Sequence, residues 1–424
     1  METLRVVLAL AAKMNSVIRF YDCRTAYIHA SVDLNTIFME RPAGLTVKDG
    51  GDKVCHLLKS LYGLAQSGRN WYLKVCEVFE MAGLQKLESD DCVFVYEENG
   101  LITLVVIFID DFMMIAPNDN VVDNLVDKLK RSLDVVETLG DNYLGLKILK
   151  NDDGIIITQQ HYVDKMLEKF GMQDARAVAS PGIPTQNLDK WGDSPIVDST
   201  AYQEKIGSLL YLATVTRPDL AFVVTNLARY SKEPHRIHEN AVNRVFKYLK
   251  GTRELGLHYR KCDIAELNGI ADASWDVTAD GKSFSGYLVR LGHCLVTWKS
   301  KKQDVVALST CEAETVALVN LVKELKWLQG LLAELQMLGN FVKYPVNVQT
   351  DSQAAIGVIN NSNAHTRTKH FRRSYHFVRQ EIQKQNLTLN YVSTDENLAD
   401  GLTKNIPGVK LSQAMDALWV KSVT

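Results

Sequence analysis

Apolar runs broken by carboxylates mark the first third of the chain. Residues 101–109 (LITLVVIFI) carry no charge and are rich in β-branched side chains, which predicts a buried strand. The run stops at Asp110-Asp111 and resumes over residues 112–116. This alternation predicts a hairpin of two buried strands with two carboxylates at its tip.

Further elements precede the hairpin. Residues 17–21 (VIRFY) are mostly apolar, which predicts a short strand that ends on Asp22. Residues 69–81 have apolar positions at helical spacing. The opening residues 2–14 have the same spacing but no capping residue before them, so we expect a helix there whose upstream context is missing.

A proline-rich stretch separates the two halves of the chain. Residues 180–199 contain three prolines together with Gly, Asp and Ser, which predicts a linker. Helical spacing follows over residues 202–250. The remainder predicts an α/β unit with strands at residues 267–272, 284–290 and 294–298, a helix at 311–335, a strand at 346–350 and two further helices.

Composition excludes several classes of protein. The 48 Lys and Arg nearly balance the 50 Asp and Glu, so a nucleic-acid partner would have to be bound by local patches and not by bulk charge. The 7 cysteines are scattered without C-x-x-C spacing, which favours a reducing compartment with no disulfide framework and no zinc module. No apolar run approaches the ~20 residues of a membrane span. We therefore expect an intracellular protein that is neither secreted nor bound to a membrane.

Three acids of the first half are candidates for metal chemistry. Asp22 ends one predicted strand, and Asp110 and Asp111 lie between two others. Carboxylates at the edge of a buried sheet are costly unless Arg, Lys or a divalent metal compensates them. Three carboxylates on two hard cations suit in-line nucleotidyl transfer, in which one metal activates a 3′-hydroxyl and the other stabilises pyrophosphate. The alternative for Asp110-Asp111 is an ordinary polar hairpin turn.

The second half contains its own set of acids, which would suit a two-metal phosphodiester hydrolase. Any α/β domain of this size offers four acids, so the pattern alone is weak. Glu314 shares a helical face with the apolar residues Ala317 and Leu321, whereas Glu312 leads toward Lys323, on a face that turns to solvent. We therefore expect Glu314 to be the ligand from this helix. The complete predicted set is Asp272, Glu314, Asp351 and Asp400.

Several short motifs of the sequence resemble those of one known family. Residues 22–27 (DCRTAY), 59–67 (KSLYGLAQS) and 108–111 (FIDD) resemble reverse transcriptase palm motifs. The order of these motifs and their residues are similar to those of the Pol polyprotein of copia-type LTR retrotransposons, over about residues 1–405. Later motifs agree with this resemblance, namely GSLLY (207–211), TRPD (216–219), ALST (307–310) and RTKH (367–370). Four more motifs look like a retroelement RNase H domain, namely ADAS (271–274), STCEAE (309–314), TDSQ (350–353) and LAD (398–400).

The resemblance implies roles for particular residues. Asp22, Asp110 and Asp111 match the polymerase triad, and the four acids of the second half match the RNase H set, with two Mg²⁺ or Mn²⁺ ions at each site. Tyr27 matches the aromatic residue that closes against the sugar 2′ position and excludes ribonucleotides; its alternative is a core tyrosine in a helix.

Two nucleic-acid contacts are also predicted, the first from the resemblance and the second from the local concentration of basic residues. Gly207 and Tyr211 share a helical face that resembles the thumb helix in the minor groove of the template–primer, although a helix–helix contact explains the glycine equally well. A basic segment over residues 365–384 is expected to contact the phosphates of an RNA–DNA hybrid, with a solvated basic helix as the alternative. Its histidines lack zinc spacing, and its basic residues are Arg367, Lys369, Arg372, Arg373, Arg379 and Lys384.

The fold class we predict is α+β. A reverse transcriptase palm covers residues 1–154, a helical thumb and connection 155–262, an α/β three-layer RNase H-like domain 263–405, and a C-terminal tail 406–424. The implied function is retroelement replication, with DNA synthesis from RNA and DNA templates and hydrolysis of RNA in RNA–DNA hybrids. The implied partners are an RNA template, a DNA primer, the hybrid and dNTPs. The implied location is the cytoplasm, in virus-like particles, and the nucleus.

Two departures from the family leave other functions open. Phe108 replaces the usual tyrosine of the palm tetrapeptide, which keeps the ring and loses a hydroxyl. In the family a fingers subdomain with basic residues precedes the first aspartate, whereas 21 residues precede Asp22 here. The alternatives are therefore an RNase H-only enzyme and a non-catalytic remnant that binds nucleic acid.

Overall fold

The chain folds into two compact units. The computed structural model describes residues 1–32, 37–45, 53–190, 192–261, 266–275, 278–335, 342–361 and 372–423. Residues 15–144 form the smaller unit, and residues 1–14 and 145–424 form the larger unit. The predicted boundary at residue 154 therefore differs from the observed one, and the opening helix lies outside the unit to which the sequence assigned it.

Helices and strands alternate along both units. The helices are α1 (Glu2–Met14), α2 (Ser67–Met81), α3 (Asp119–Leu129), α4 (Gln160–Lys169), α5 (Ser199–Val215), α6 (Ala221–Ala228), α7 (Arg236–Gly251), α8 (Thr310–Glu334), α9 (Gln353–Asn360), α10 (Arg372–Gln383) and α11 (Gly408–Ala417). The strands are β1 (Val17–Cys23), β2 (Phe38–Met39), β3 (Cys55–His56), β4 (Leu84–Lys86), β5 (Val93–Glu98), β6 (Leu101–Phe108), β7 (Asp111–Ala116), β8 (Val135–Glu137), β9 (Asn142–Tyr143), β10 (Leu146–Asn151), β11 (Gly154–Thr158), β12 (Leu255–Arg260), β13 (Leu267–Ser274), β14 (Phe284–Leu291), β15 (Cys294–Lys302), β16 (Val346–Thr350), β17 (Leu387–Tyr391) and β18 (Val420–Ser422).

The smaller unit is built on an antiparallel sheet with the strand order β4-β5-β6-β7-β1-β8. The hairpin predicted from the apolar runs is confirmed as β6 and β7, and β1 pairs with β7. Helices α2 and α3 cover the sheet and close an apolar core. In that core Phe79 of α2 makes edge contacts with Phe94 of β5 and Phe112 of β7.

The larger unit contains a five-stranded sheet with the order β15-β14-β13-β16-β17. The strands β13, β14 and β15 are antiparallel, and β16 and β17 run parallel to β13. Phe284 of β14 contacts Phe222 of α6, and Tyr287 donates a hydrogen bond to Glu324 of α8. Phe284 and Tyr287 are three residues apart, so their side chains point to opposite faces of the sheet. Helix α6 therefore covers one face and helix α8 the other, as the predicted three-layer domain requires.

The residues predicted as a C-terminal tail form part of the larger unit. They fold into α11 and β18, and β18 pairs with β12 at the edge of a second sheet that also contains β11 and β10. Val420 is buried in this pairing. The strand closes a sheet edge that would otherwise expose unpaired backbone groups, a requirement that local composition does not reveal.

The opening helix α1 belongs to the larger unit because nearly all of its surface is apolar and buried. Every residue from Thr3 to Ala12 is buried, including Arg5. The Arg5 guanidinium lies over the Trp298 ring and donates hydrogen bonds to the carbonyls of Val296, at 2.7 Å, and Thr214, at 2.7 Å. A helix that is apolar on all sides must be surrounded, and β11, β12 and β15 provide that environment.

The motif TRPD (216–219) has a structural role just before α6. The side chains of Arg217 and Asp219 are fully buried, and their charged atoms are 2.6 Å apart. Arg217 also donates to the carbonyl of Thr252, at 2.9 Å, which ends α7. The pair therefore joins two helices of the larger unit.

Within the described part of the chain, no helix combines the length and the apolar character that crossing a membrane requires.

Candidate active sites

Strand pairing in the smaller unit places its three predicted acids at one end of the sheet. Asp22 lies next to the last residue of β1, opposite Asp111 of β7. Asp110 occupies the two-residue turn between β6 and β7. The amide of Cys23 donates to the Asp110 carbonyl at 2.8 Å, which fixes the turn against β1.

The turn that carries Asp110 has an unusual backbone. Ile109 has φ of +57°, a left-handed conformation that β-branched residues rarely adopt and that costs about 1–3 kcal/mol. The Trp71 indole donates to the Ile109 carbonyl at 2.7 Å and holds the turn in place. This contact was not predicted, because Trp71 and Ile109 are distant in sequence.

The carboxylates of Asp22, Asp110 and Asp111 repel one another, but their oxygens are not close enough together to form one compact metal site. Burial raises the pKa of Asp22, and the neighbouring Asp110 raises it further. Burial, Asp110 and Asp22 raise the pKa of Asp111 in the same way. Among the described residues, however, these three do not form a group with ligand atoms within 4.8 Å of one another.

One tyrosine contacts Asp110, and a second tyrosine packs against the first. Tyr27 lies in the short 3₁₀ helix Ala26–His29, is half-buried and packs against the apolar core of the smaller unit. Its ring centroid is 4.4 Å from that of Tyr62, whose hydroxyl donates to Asp110 Oδ2 at 3.3 Å. Tyr62 belongs to the motif KSLYGLAQS (59–67), but its contact with Asp110 was not predicted.

Parallel strands in the larger unit bring its acids together. Asp272 lies in β13, and Asp351 directly follows β16, the parallel neighbour of β13. The carboxyl ends of parallel strands meet at one sheet edge, and the first turns of α8 bring Glu314 to the same place. These three residues form the one group of acids in the described chain whose ligand atoms all lie within 4.8 Å of one another.

A close backbone approach positions Asp272. A Cβ at Gly286, its partner on β14, would lie 2.7 Å from Leu402 and 2.8 Å from Thr403, so only glycine allows that turn to reach the sheet. The Thr403 hydroxyl then donates to Asp272, and so does the Asn397 amide, at 3.3 Å. Sequence reasoning missed these residues because nothing local marks their approach.

The electrostatics of this site fit a divalent cation. Burial, followed by the charges of Asp272 and Asp351, raises the pKa of Glu314 to about 9. Burial likewise raises the pKa of Asp272 to about 6, although the Thr403 hydroxyl opposes the shift. The buried Oε2 of Glu314 has no hydrogen-bond partner. Clustered carboxylate oxygens with an unsatisfied member suit Mg²⁺ or Mn²⁺, so the residues fit the implied metal.

Glu314, and not Glu312, reaches the other acids. The expectation that Glu312 turns to solvent is wrong, because this residue is buried. Its carboxylate accepts from the amide of Leu308 at 2.8 Å, and its own amide donates to Ser309, which caps α8. These two hydrogen bonds occupy Glu312 at the N-terminus of α8.

Asp400 is buried near Asp272 but lies outside the group of three. Lys404 Nζ is 2.8 Å from its Oδ1, and Lys410 Nζ is 3.0 Å from its Oδ2. The predicted fourth ligand is therefore held by the chain's own cations.

Replacing Glu314 by glutamine is expected to stabilise the metal-free protein at neutral pH. Below its ordinary pKa of 4.5 the carboxyl is protonated in both the folded and the unfolded chain. As the pH rises toward the folded pKa of about 9, only the unfolded chain ionises, so wild-type stability falls. The melting-temperature difference should be near zero at low pH and grow up to pH 9, by about 2–4 °C per kcal/mol. A difference that is constant with pH in EDTA would contradict this.

The predicted thumb residues lie on α5. Gly207 is exposed, and a Cβ there would meet no atom within 4 Å, so a contact with another described helix does not explain the glycine. Tyr211, one turn later, is half-buried against Tyr162, with ring centroids 5.0 Å apart. The face beside Gly207 is thus open to a partner.

The basic segment is only partly described. Arg367 and Lys369 lie outside the described residues, Arg372 begins α10, and Arg373 is exposed. Arg379 is buried and donates to backbone carbonyls at the end of α9, among them that of Ile359 at 2.6 Å. Its assignment to a phosphate-contacting face is therefore wrong, because its donors cap a helix.

Comparison with known proteins agrees with this architecture. Residues 1–184 match the family described as reverse transcriptase (RNA-dependent DNA polymerase). The solved structure of a foamy viral protease-reverse transcriptase in complex with an RNA/DNA hybrid has a TM-score of 0.51 and 11% identity, covering 94% of this chain and 46% of that chain. At this identity the likeness concerns the fold alone. The predicted α+β fold class is confirmed, since the chain shares its fold with a viral reverse transcriptase.

Sequence relatives define the family more narrowly. The chain is 33% identical over 409 residues to the retrovirus-related Pol polyprotein from transposon RE2 of Arabidopsis thaliana, covering 96% of this chain and 28% of that protein. It is 34% identical over 435 residues to the Pol polyprotein from transposon TNT 1-94 of Nicotiana tabacum, covering 100% of this chain and 32% of that protein. The chain belongs to the copia-type LTR retrotransposon Pol family and spans about a third of the length of these relatives.

Proposed function

We propose that the larger unit hydrolyses the RNA strand of RNA–DNA hybrids. The observation that carries this proposal is the convergence of Asp272, Glu314 and Asp351 at one sheet edge, with a buried carboxylate oxygen unsatisfied. Membership of the Pol family supports it, as does the shared fold with a viral reverse transcriptase bound to a hybrid.

The proposed hydrolysis depends on residues that hold and orient the acids. Asp272, Glu314 and Asp351, with Asp400 beside them, would hold two Mg²⁺ or Mn²⁺ ions. When bound, these ions supply positive charge that stabilises the transition state of phosphodiester cleavage. Thr403 and Asn397 orient the Asp272 carboxylate through their hydrogen bonds.

The hydrolysis is tested with a labelled RNA strand annealed to DNA. The full chain and Mg²⁺ should cleave this strand, leave the same RNA intact when it is single-stranded or paired with RNA, and lose activity in EDTA. Binding of the hybrid without any cleavage would instead support the alternative of a non-catalytic remnant.

We further propose that the smaller unit is the site of RNA- and DNA-directed DNA synthesis. Asp22, Asp110 and Asp111 would hold two divalent ions, and Tyr27 would face the sugar of the incoming dNTP. The packing of Tyr27 against Tyr62, whose hydroxyl donates to Asp110, supports this role. The open face of α5 beside Gly207 would follow the template–primer.

Hydrolysis without polymerisation is the second candidate function. One observation favours it: within the described chain, the ligand atoms of the palm acids are not gathered as those of the larger unit are. Primer extension on an RNA template with dNTPs decides between the two candidates, with Asp110→Asn as the control. Extension that disappears in the control supports polymerase activity, whereas hybrid cleavage without extension supports hydrolysis alone.

A further inference from the structure

Asp400 has an environment unlike that of the other three acids of the larger unit. It is 2% exposed, and each of its carboxylate oxygens faces its own ammonium group. Lys404 Nζ lies 2.8 Å from Oδ1, and Lys410 Nζ lies 3.0 Å from Oδ2. Two lysines therefore neutralise a buried carboxylate that would otherwise be costly to ionise.

The two lysines differ in how firmly they are held. Lys410 projects from α11 and also donates to the Thr394 carbonyl at 3.2 Å, with Asp395 at 3.6 Å. Lys404 lies one helical turn after Asp400, and its side chain is 44% exposed. Its ammonium also acts on the charges of Asp272 and Asp351. Lys404 can therefore turn toward solvent without leaving a buried cation behind, because its tip already reaches water.

We propose that Lys404 is an internal counter-ion that holds Asp400 in the metal-free protein and competes with the second divalent ion for this carboxylate. The inference rests on the proposed function, in which the site binds two divalent ions. A divalent ion attracts Asp400 more strongly than one ammonium does, so it displaces Lys404 once its concentration is high enough. Lys404 is thus a positioning residue that sets the metal concentration at which all four acids become ligands.

The test measures metal binding directly, without nucleic acid. The full chain carries Asp110→Asn and Asp111→Asn, which remove two of the three palm acids as competing ligands, and Mn²⁺ is titrated by calorimetry. Lys404→Met should strengthen the weaker of two binding events by a factor on the order of ten, because a positive charge beside the ion is lost. The same variant should lower the melting temperature in EDTA, where Asp400 has lost one counter-ion.

Two matched variants isolate the effect of this charge. Lys404→Arg keeps the positive charge and should bind Mn²⁺ as the parent chain does. Lys190→Met removes an exposed lysine from the same unit and should change neither the affinity nor the melting temperature. Half-maximal hybrid cleavage by Lys404→Met, with the palm acids intact, should require correspondingly less Mg²⁺.

The outcomes separate this inference from the proposed function. If the parent chain binds Mn²⁺ and Lys404→Met binds it equally or more weakly, the counter-ion role is rejected while the metal site stands. If the parent chain binds no Mn²⁺, and Asp351→Asn changes nothing, the metal site and the counter-ion role are both rejected.

Discussion

Replacing Asp351 by asparagine is expected to slow the cleavage of RNA in an RNA–DNA hybrid roughly a thousandfold. The Asp351 carboxylate provides one of the three oxygens that lie within 4.8 Å of one another. Asparagine keeps the shape of the side chain but removes its negative charge, so the site loses a ligand for the implied cation. Single-turnover cleavage at saturating hybrid and Mg²⁺ measures the effect.

The fold should survive this substitution, because Asp351 is half-buried at the end of β16 and removing its charge reduces repulsion among the acids. Hybrid binding, measured by fluorescence anisotropy in EDTA, should therefore stay close to that of the wild type. Asp174→Asn is the matched control, since Asp174 is an exposed aspartate of the same unit. Cleavage by Asp351→Asn within a few fold of the control would refute the assignment of this site.

Replacing Arg217 by methionine is expected to lower the free energy of unfolding of the larger unit by about 3–5 kcal/mol. The side chains of Arg217 and Asp219 are 1% and 0% exposed, so the substitution leaves an ionised carboxylate buried without its partner. It also removes the hydrogen bonds from Arg217 to the Thr252 carbonyl and hydroxyl at the end of α7. Urea unfolding followed by circular dichroism measures the loss.

A double substitution separates the charge effect from the packing effect. Arg217→Met combined with Asp219→Leu removes both charges, so it should recover much of the lost stability. The exposed Arg236 provides the control, because Arg236→Met disturbs only a surface pair with Glu239. If the double variant is no more stable than Arg217→Met, the loss does not arise from an unpaired buried charge.

Local pattern was sufficient for elements whose neighbours in sequence are also their neighbours in space. The uncharged run that became β6, the acidic pair after it and the strand β7 form one hairpin, so their order along the chain already contains their pairing. The strand β16 was predicted with the bounds that the structure shows. The apolar stripe of α8 correctly pointed Glu314 toward the acids of the neighbouring strands.

The errors have a common physical origin. Glu312 was expected in solvent, but it accepts a backbone amide of its own helix start. Arg379 was expected to contact phosphate, but it caps α9 from a different helix. A charged side chain in a helical pattern is usually exposed, and only its actual hydrogen-bond partners show when its burial is compensated.

The sequence by itself determined the family, the fold class and the identity of the clustered acids, because these depend on short sequence motifs and on local periodicity. Only the tertiary structure decided how the acids are held. Gly286 admits the turn that carries Thr403, and Lys404 and Lys410 enclose Asp400, which lies more than a hundred residues from Asp272. The tertiary structure also showed that α1 and the last strand, β18, belong to the larger unit. Such contacts are set by steric fit and charge between distant segments, which no local pattern encodes.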